Sequence, residues 1–328
     1  MKWQKKERLV ELTIGSIGLI SVIILLLIGF FLFKEAFPVF FRAGALKVIF
    51  GQKWYPTSEP PLFGMFPLIV GTLAVTALSA AIAVPLGLST AIYIAEVAHH
   101  RVKEYLKPFI EMLASFPSVV LGFFGMVIIA PILSNWLSPL LADELPDLLK
   151  GLNVPFLSTT VAEFCRDKLF ITSGLNMFTA SVILMVRAIP VISSIAEDAL
   201  TAVPRTYREA SYSLGAGKWE TIWKVVVPAS VSGLSVAVIL GIGTIIGETM
   251  IVLMVAGGAA TIPHWIFDPV RPMPSAIAAE MAEAAHGSLH YHALFGVGAI
   301  LFIITLILSL ISDFISKRYR SLKIGEKV

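Results

Sequence analysis

Cysteine is almost missing from this chain. Cys165 stands alone among 328 residues, so no disulfide can form within the chain, and it reads as a packing side chain. Charge is scarce as well. Asp, Glu, Lys and Arg make up 14% of the residues, where a typical soluble domain carries about 25%. With a hydrophobic content of 57%, this excludes an ordinary water-soluble fold. The net charge of +3 does not point to nucleic acid, because the basic residues sit in loops beside long apolar runs. A nucleotide-binding loop is missing too. Gly215 to Trp219 comes near the pattern G-x-x-x-x-G-K-[ST], but Tyr212 stands where the first Gly belongs and Trp219 where Ser or Thr belongs. No soluble α/β segment is present to carry such a site. His286, His290 and His292 lie near Glu280 and Glu283, and helical spacing puts His286 and His290 on one face. Without a Cys or HExxH pattern beside them they read as an interfacial polar belt, not a metal site. His99-His100 reads as part of a solvated loop. The N-terminal apolar run is too long for a cleaved signal peptide, and no small-residue cleavage site follows it.

What the chain does have is apolar length. Crossing a bilayer takes about 20 residues of helix. Six stretches qualify: about Leu9–Phe33, Phe66–Ala95, Pro108–Leu133, Leu175–Ile195, Ala229–Ala256 and Tyr291–Phe314. Pro85 should kink the second. The expected fold is therefore an all-α integral membrane protein with six transmembrane helices. Residues 34–65 form an aromatic-rich outer loop in this reading. Residues 96–107 form a basic loop. Residues 134–174 hold a short amphipathic helix near Leu157–Leu169, and residues 257–290 include a helical-looking run. Six spans put both termini on one side. Sixteen Lys and Arg residues fall in the two termini and in the 96–107 and 197–228 loops, against eight in the three opposite segments. The positive-inside rule places both termini in the cytoplasm.

The chain is organised around residues 197–228, a long polar interruption. Glu209-Ala210-Ser211 is followed after three residues by Gly215, and after nine more by Val225-Val226-Val227-Pro228. Residues 207–214 suit a helix, with Gly215 and Gly217 as its stop. Lys218 to Val227 can begin a second helix, and Pro228 suits the first turn of the span that follows. Small side chains at Ala210, Ser211 and Ala216 let another surface approach closely. The fifth span holds Gly241-Ile242-Gly243-Thr244-Ile245-Ile246-Gly247-Glu248-Thr249-Met250. A carboxylate inside a span costs roughly 2.5–3.5 kcal/mol on insertion scales, so Glu248 should face the bundle interior or a wet cavity. Gly243 and Gly247, four apart, allow close helix approach. Arg187 of the fourth span is the natural partner of Glu248. Two readings stand: a structural ion pair, or the polar lining of a substrate path.

The 209–228 spacing resembles the EAA loop of ABC importer permeases, E-A-A, three residues, Gly, nine residues, I-x-L-P, with Ser211 and valines as the departures. The GETM run in the fifth span narrows the resemblance to the PstC-type permease subunit of phosphate ABC importers. Trp54 with Pro56, Gly71–Ala98, Phe116–Gly125 and the run around Ile189–Ile222 also match in order and spacing, covering nearly the whole chain from about residue 50. The resemblance implies a MetI-like permease architecture, N-in and C-in. It implies an N-terminal tail, first helix and outer loop over 1–65, a permease core over 66–316 and a basic tail over 317–328. It further implies ATPase coupling through Glu209, Ala210, Ser211 and Gly215, and a substrate path with Arg187, Thr244, Glu248 and Thr249. The implied partners are a PstA-like permease, a PstB-like ATPase dimer that holds the ATP and Mg, and a PstS-like phosphate-binding protein. No cofactor would be bound by this chain, and it would catalyse no reaction itself. Its expected location is a prokaryotic inner or plasma membrane, embedded in the lipid bilayer. Many relatives place Arg four residues before the GET glutamate; here that position is Thr244, which can hydrogen-bond an oxyanion but cannot neutralise it. A permease for sulfate, molybdate or tungstate is the nearest alternative. An ATPase-independent transporter or channel, and a membrane-embedded metal enzyme, are more distant ones.

Overall fold

A computed structural model describes residues 2–140, 171 and 173–324. Cys165 and the expected amphipathic helix at 157–169 lie outside the described residues. The described chain is almost wholly helical, as a bilayer requires, because a helix satisfies its own backbone groups where no water is present. Six of its helices are long and apolar enough to cross a membrane: Val10–Ala43, Phe66–Val97, Ser118–Leu137, Met177–Thr201, Lys218–Ile246 and Leu289–Ile311.

Helix α1 (Lys2–Ala43) runs ten residues beyond the expected end of the first span. A positive φ at Gly44 turns the chain into the short α2 (Ala45–Phe50). An antiparallel pair, β1 (Trp54–Tyr55) and β2 (Leu62–Phe63), completes what the sequence suggested was a loop. The second span is α3 (Phe66–Val97), ending in a π-helical turn over Tyr93–Val97. The expected loop at 96–107 is mostly helix: α4 covers His100–Ala114. It breaks at Ser115-Phe116-Pro117, and α5 (Ser118–Leu137) continues outward. Pro117 forces the break because it offers no N–H to the preceding turn. Helix α6 (Met177–Thr201) starts where the Asn176 side chain accepts a hydrogen bond from Thr179 N at 3.0 Å.

Next comes α7 (Arg205–Ser213). The fifth span is not confined to the apolar run. Helix α8 extends from Lys218 to Ile246 without interruption, through a π turn at Ile222–Val226. Pro228 falls in the first turn of the α-helical part that follows the π turn, as expected, although the span itself begins at Lys218. It sits just after the π turn, whose shifted hydrogen bonding absorbs the missing donor. Helix α8 stops at Ile246 and a six-residue α9 (Met250–Val255) follows. Glu248 thus lies in a break between two helices. Helix α10 (Met273–Glu280) and α11 (Leu289–Ile324) complete the chain.

The packed core forms three tiers along α6 and its neighbours. The outer tier joins Val39, Trp54, Met65, Met273 and Leu294. The middle tier joins Val75, Ile183, Leu184, Ile192, Ile251 and Val255. The cytoplasmic tier joins Ala91, Ala196, Leu200, Val226 and Leu234. Close helix approach is made by Gly87 and Gly241, which both meet Ile192 of α6, and by Gly233 against Ala199. Among the described residues Gly243 has no neighbour within 4 Å and Gly247 meets only the Gly243 carbonyl, so neither glycine packs against another helix there. Buried Thr72, Thr76, Ser79 and Ser181 return their hydroxyls to carbonyls one turn earlier, at 2.7–2.8 Å, which satisfies them without water.

Candidate functional site: a cytoplasmic hairpin and a mid-span ion pair

The cytoplasmic hairpin is built from α7, a turn and the first turn of α8. Gly215 takes φ +82°, a conformation that costs most side chains strain. Gly215 N donates to Tyr212 O at 3.0 Å and Ala216 N to Ser211 O at 3.2 Å, which together close the end of α7 in a Schellman arrangement. The Ser211 hydroxyl lies 2.9 Å from the Thr221 hydroxyl and ties α7 to α8. That bond gives the departure from the EAA pattern a structural use. Glu209, Ala210, Tyr207, Tyr212, Leu214 and Trp219 are exposed, and Leu214 is 89% exposed.

Arg208, marked in the sequence only as one more basic loop residue, fixes this hairpin to the transmembrane bundle. Its guanidinium pairs with Glu96 at the end of α3, with Nη1 donating to Val203 O at 2.6 Å and Nη2 to Leu200 O at 3.0 Å. The side chains of Arg208 and Glu96 are 17% and 8% exposed. A fork of this kind resists being pulled out, because each partner would be left with unmet hydrogen bonds in a dry site. A second anchor joins Lys103 and Lys107 of α4 to Glu197 of α6, with Lys107 also 3.2 Å from Asp198. Its hydrogen bond to Glu197 raises the Lys107 pKa above the ordinary lysine value. The signals available in sequence were isolated acidic residues at the inner ends of two spans.

Deeper in the bundle, Arg187 and Glu248 do meet, as their positions predicted. Arg187 Nε lies 3.5 Å from Glu248 Oε2. Arg187 Nη1 also donates to Ala114 O at 3.2 Å and Phe116 O at 3.3 Å. Those carbonyls are exposed by the break between α4 and α5, where a helix C-terminus favours a cation. One guanidinium thus bridges two interrupted helices. Its Nε is buried and has no hydrogen-bond partner among the described residues. Thr244 returns its hydroxyl to Leu240 O at 3.0 Å, and Thr249 returns its own to Gly247 O at 3.4 Å. Thr244 lies on the side of α8 with exposed Leu240 and Gly243, away from the buried row of Ala237, Gly241 and Ile245. The structure brings Arg187 to Glu248 but leaves Thr244 on the open flank.

The histidines are used otherwise than on one face. His286 precedes α11 and its ring lies 4.7 Å from that of Tyr291. Glu280 accepts from Trp54 Nε1 at 3.1 Å, pairs with Arg271 Nη1 at 2.6 Å and lies 2.9 Å from His290 Nε2. His292 Nδ1 lies 2.8 Å from Glu35 O. These residues clamp the outer segments to α11, and no grouping of three or more His, Cys, Asp or Glu fit to hold a metal occurs among the described residues.

The sequence pattern that describes the binding-protein-dependent transport system inner membrane component matches residues 83–321, most of the chain. The chain belongs to this family. A relative from Bacillus subtilis (strain 168), described as the probable ABC transporter permease protein YqgH, is 31% identical over 310 residues, covering 94% of this chain and 90% of the relative. The phosphate transport system permease protein PstC of Haemophilus influenzae is 34% identical over 259 residues, 79% of this chain and 77% of that protein. PstC of Pasteurella multocida is 34% identical over 280 residues, covering 85% and 82%. Among solved structures, an inward-facing MetNI methionine ABC transporter aligns with TM-score 0.53 at 19% identity over 80% of this chain and 99% of that one. A bacterial alginate ABC transporter, in complex with alginate pentasaccharide-bound periplasmic protein, aligns with TM-score 0.51 at 17% identity over 92% of each chain. At these identities the structures speak for the fold alone, and that fold is the MetI-like importer permease. The protein is a multi-pass inner-membrane permease subunit of a bacterial transporter.

Proposed function

We propose that this permease forms half of the transmembrane path of an ATP-driven phosphate importer. Its 197–228 segment couples the path to a separate ATPase. Partners of the PstA, PstB and PstS kinds complete the assembly, with ATP and Mg held by the PstB-like dimer. The observation that carries the coupling reading is the hairpin itself. It presents Tyr212, Leu214 and Trp219 to the cytoplasm while Arg208 roots it in α3 and α6. Exposed apolar side chains on a rigid hairpin fit a docking surface for another protein. ATP-driven closure of the ATPase pair would then move the anchored helices as units, and alternate access follows if nucleotide favours one arrangement over the other.

The phosphate assignment rests on the PstC relatives, and Arg187 supports it. Thr244 supplies no positive charge, whereas Arg187 brings a cation with one buried donor still unused. Glu248 balances that cation when no anion is present. The test is uptake of labelled phosphate into vesicles containing this chain, its neighbouring permease and the ATPase, with the binding protein added. ATP-dependent uptake that resists excess sulfate, molybdate and tungstate is expected. Uptake of one of those anions without phosphate would move the substrate and keep the architecture. Uptake without the ATPase would overturn the coupling reading.

A further inference from the structure

We propose that the outer face of this chain holds a built site for one anionic phospholipid, in the cleft between α2 and the β1–β2 hairpin. The cleft measures about 510 Å³. Ala43, Val48, Leu62 and Phe63 give it apolar walls, and Lys47 and Lys53 stand at its edge. Neither ammonium has an ion-pair or hydrogen-bond partner among the described residues, and both are exposed.

The cleft is preformed. Gly51 and Gly64 cross so closely that a Cβ on either would strike the other's backbone. Gly64 N donates to Lys53 O at 2.9 Å, Met65 N to Val48 O at 2.7 Å and Phe66 N to Gly51 O at 3.2 Å. Its height relative to the bilayer follows from the neighbouring spans. Phe66 opens α3, and its ring lies 6.4 Å from that of Phe50 at the end of α2. Phe41, Leu46 and Phe50 of the same segment are exposed, at 79%, 74% and 62%, outside the cleft lining. Large apolar and aromatic side chains at the end of a span belong to the headgroup and upper acyl region.

A phosphate group at the two lysines with an acyl chain along Leu62 and Pro61 of the cleft wall matches both halves of this surface. Free phosphate shares the anionic chemistry but has no use for the apolar walls, so the lipid is the better occupant. Two basic residues near an anionic membrane surface together account for about a thirtyfold difference in affinity, so losing both lysines should weaken lipid binding about that much. The site stands independently of the transported substrate.

The experiment is native mass spectrometry of the full permease assembly after exchange into nanodiscs of phosphatidylglycerol and phosphatidylcholine in equal parts. One phosphatidylglycerol retained per copy of this chain is expected. The Lys47→Gln, Lys53→Gln double variant should lose it, while Lys34→Gln keeps it. Millimolar inorganic phosphate should not displace the lipid. Equal retention of both lipids, retention unchanged in the double variant, or displacement by inorganic phosphate would each overturn the proposal. So would loss of external binding-protein docking in the double variant with lipid retention intact, which would assign the cleft to a protein partner. Intact assembly mass in every variant guards against misfolding.

Discussion

At the scale of single residues, backbone geometry and charge pairing set the requirements. Gly215 has open space around it, so its constraint is the φ of +82° and not crowding. A β-branched side chain there costs roughly 1–3 kcal/mol, whereas Asn tolerates the conformation. Gly215→Val should therefore abolish ATP-driven uptake with membrane insertion intact, and Gly215→Asn should keep a substantial part of it. Uptake assays on matched amounts of inserted protein check both. Arg187 and Glu248 make a different test. Removing one member of a buried pair costs about 3–5 kcal/mol, and Arg187, at 28% exposure, belongs near the lower end. If the pair lines the path, Glu248→Gln alters anion flux while the complex still assembles. If it serves only to hold the helix breaks, the assembled complex is lost, as size-exclusion chromatography would reveal. Arg187→Gln should be the harsher change, because it also strips a donor from the Ala114 and Phe116 carbonyls.

At the scale of elements, interruptions matter as much as spans. Pro117 separates α4 from the crossing α5, and Gly247-Glu248-Thr249 separates the crossing α8 from α9. The breaks release backbone polar groups at the ends of these spans, and Arg187 meets two of them, the Ala114 and Phe116 carbonyls. Glycines along α8 sort by what faces them. Gly241 packs on Ile192, and its replacement by Val should destabilise the bundle by about 1–3 kcal/mol through overpacking. Gly243 faces open space within the chain, so Gly243→Val should leave this subunit's thermal unfolding unchanged while weakening co-purification of the second permease. Unfolding followed by tryptophan fluorescence, together with pull-down of the neighbouring permease, separates the two glycines. An equal loss of stability in both variants would contradict the assignment of faces.

At the scale of the whole molecule, the bundle is held by an outer clamp at Glu280 and by an anchored hairpin at 205–221, which we propose docks the ATPase. Glu280 joins the outer hairpin, α10 and α11, and Arg208 joins the inner hairpin to α3 and α6. Leu214, almost wholly exposed on the hairpin, has no packing role among the described residues. Leu214→Glu should abolish co-purification of the ATPase without changing membrane insertion or the subunit's own stability. Retained ATPase with normal uptake would remove the hairpin from the coupling role.

The sequence by itself determined the membrane class, six crossings, their orientation and the place of the hairpin. Apolar length, loop charge and residue spacing act locally, so they are visible along the chain. It also suggested the Arg187–Glu248 pair, because two charges stranded in apolar runs have few partners available. It offered Gly243 and Gly247 as positions of close helix approach without naming the neighbour, placed Pro228 in the first turn of a span that begins earlier, at Lys218, and left Arg208 without a role. Those outcomes depend on which face of one helix meets which neighbour, and helix spacing alone does not fix that rotation. Only the tertiary structure decided that Ile192 sits over Gly87 and Gly241, that Glu96 waits beside Arg208, and that two helix breaks fall within reach of one guanidinium. The reason is physical: these contacts join residues far apart in sequence, and they form only after the bundle has set the height and rotation of each helix.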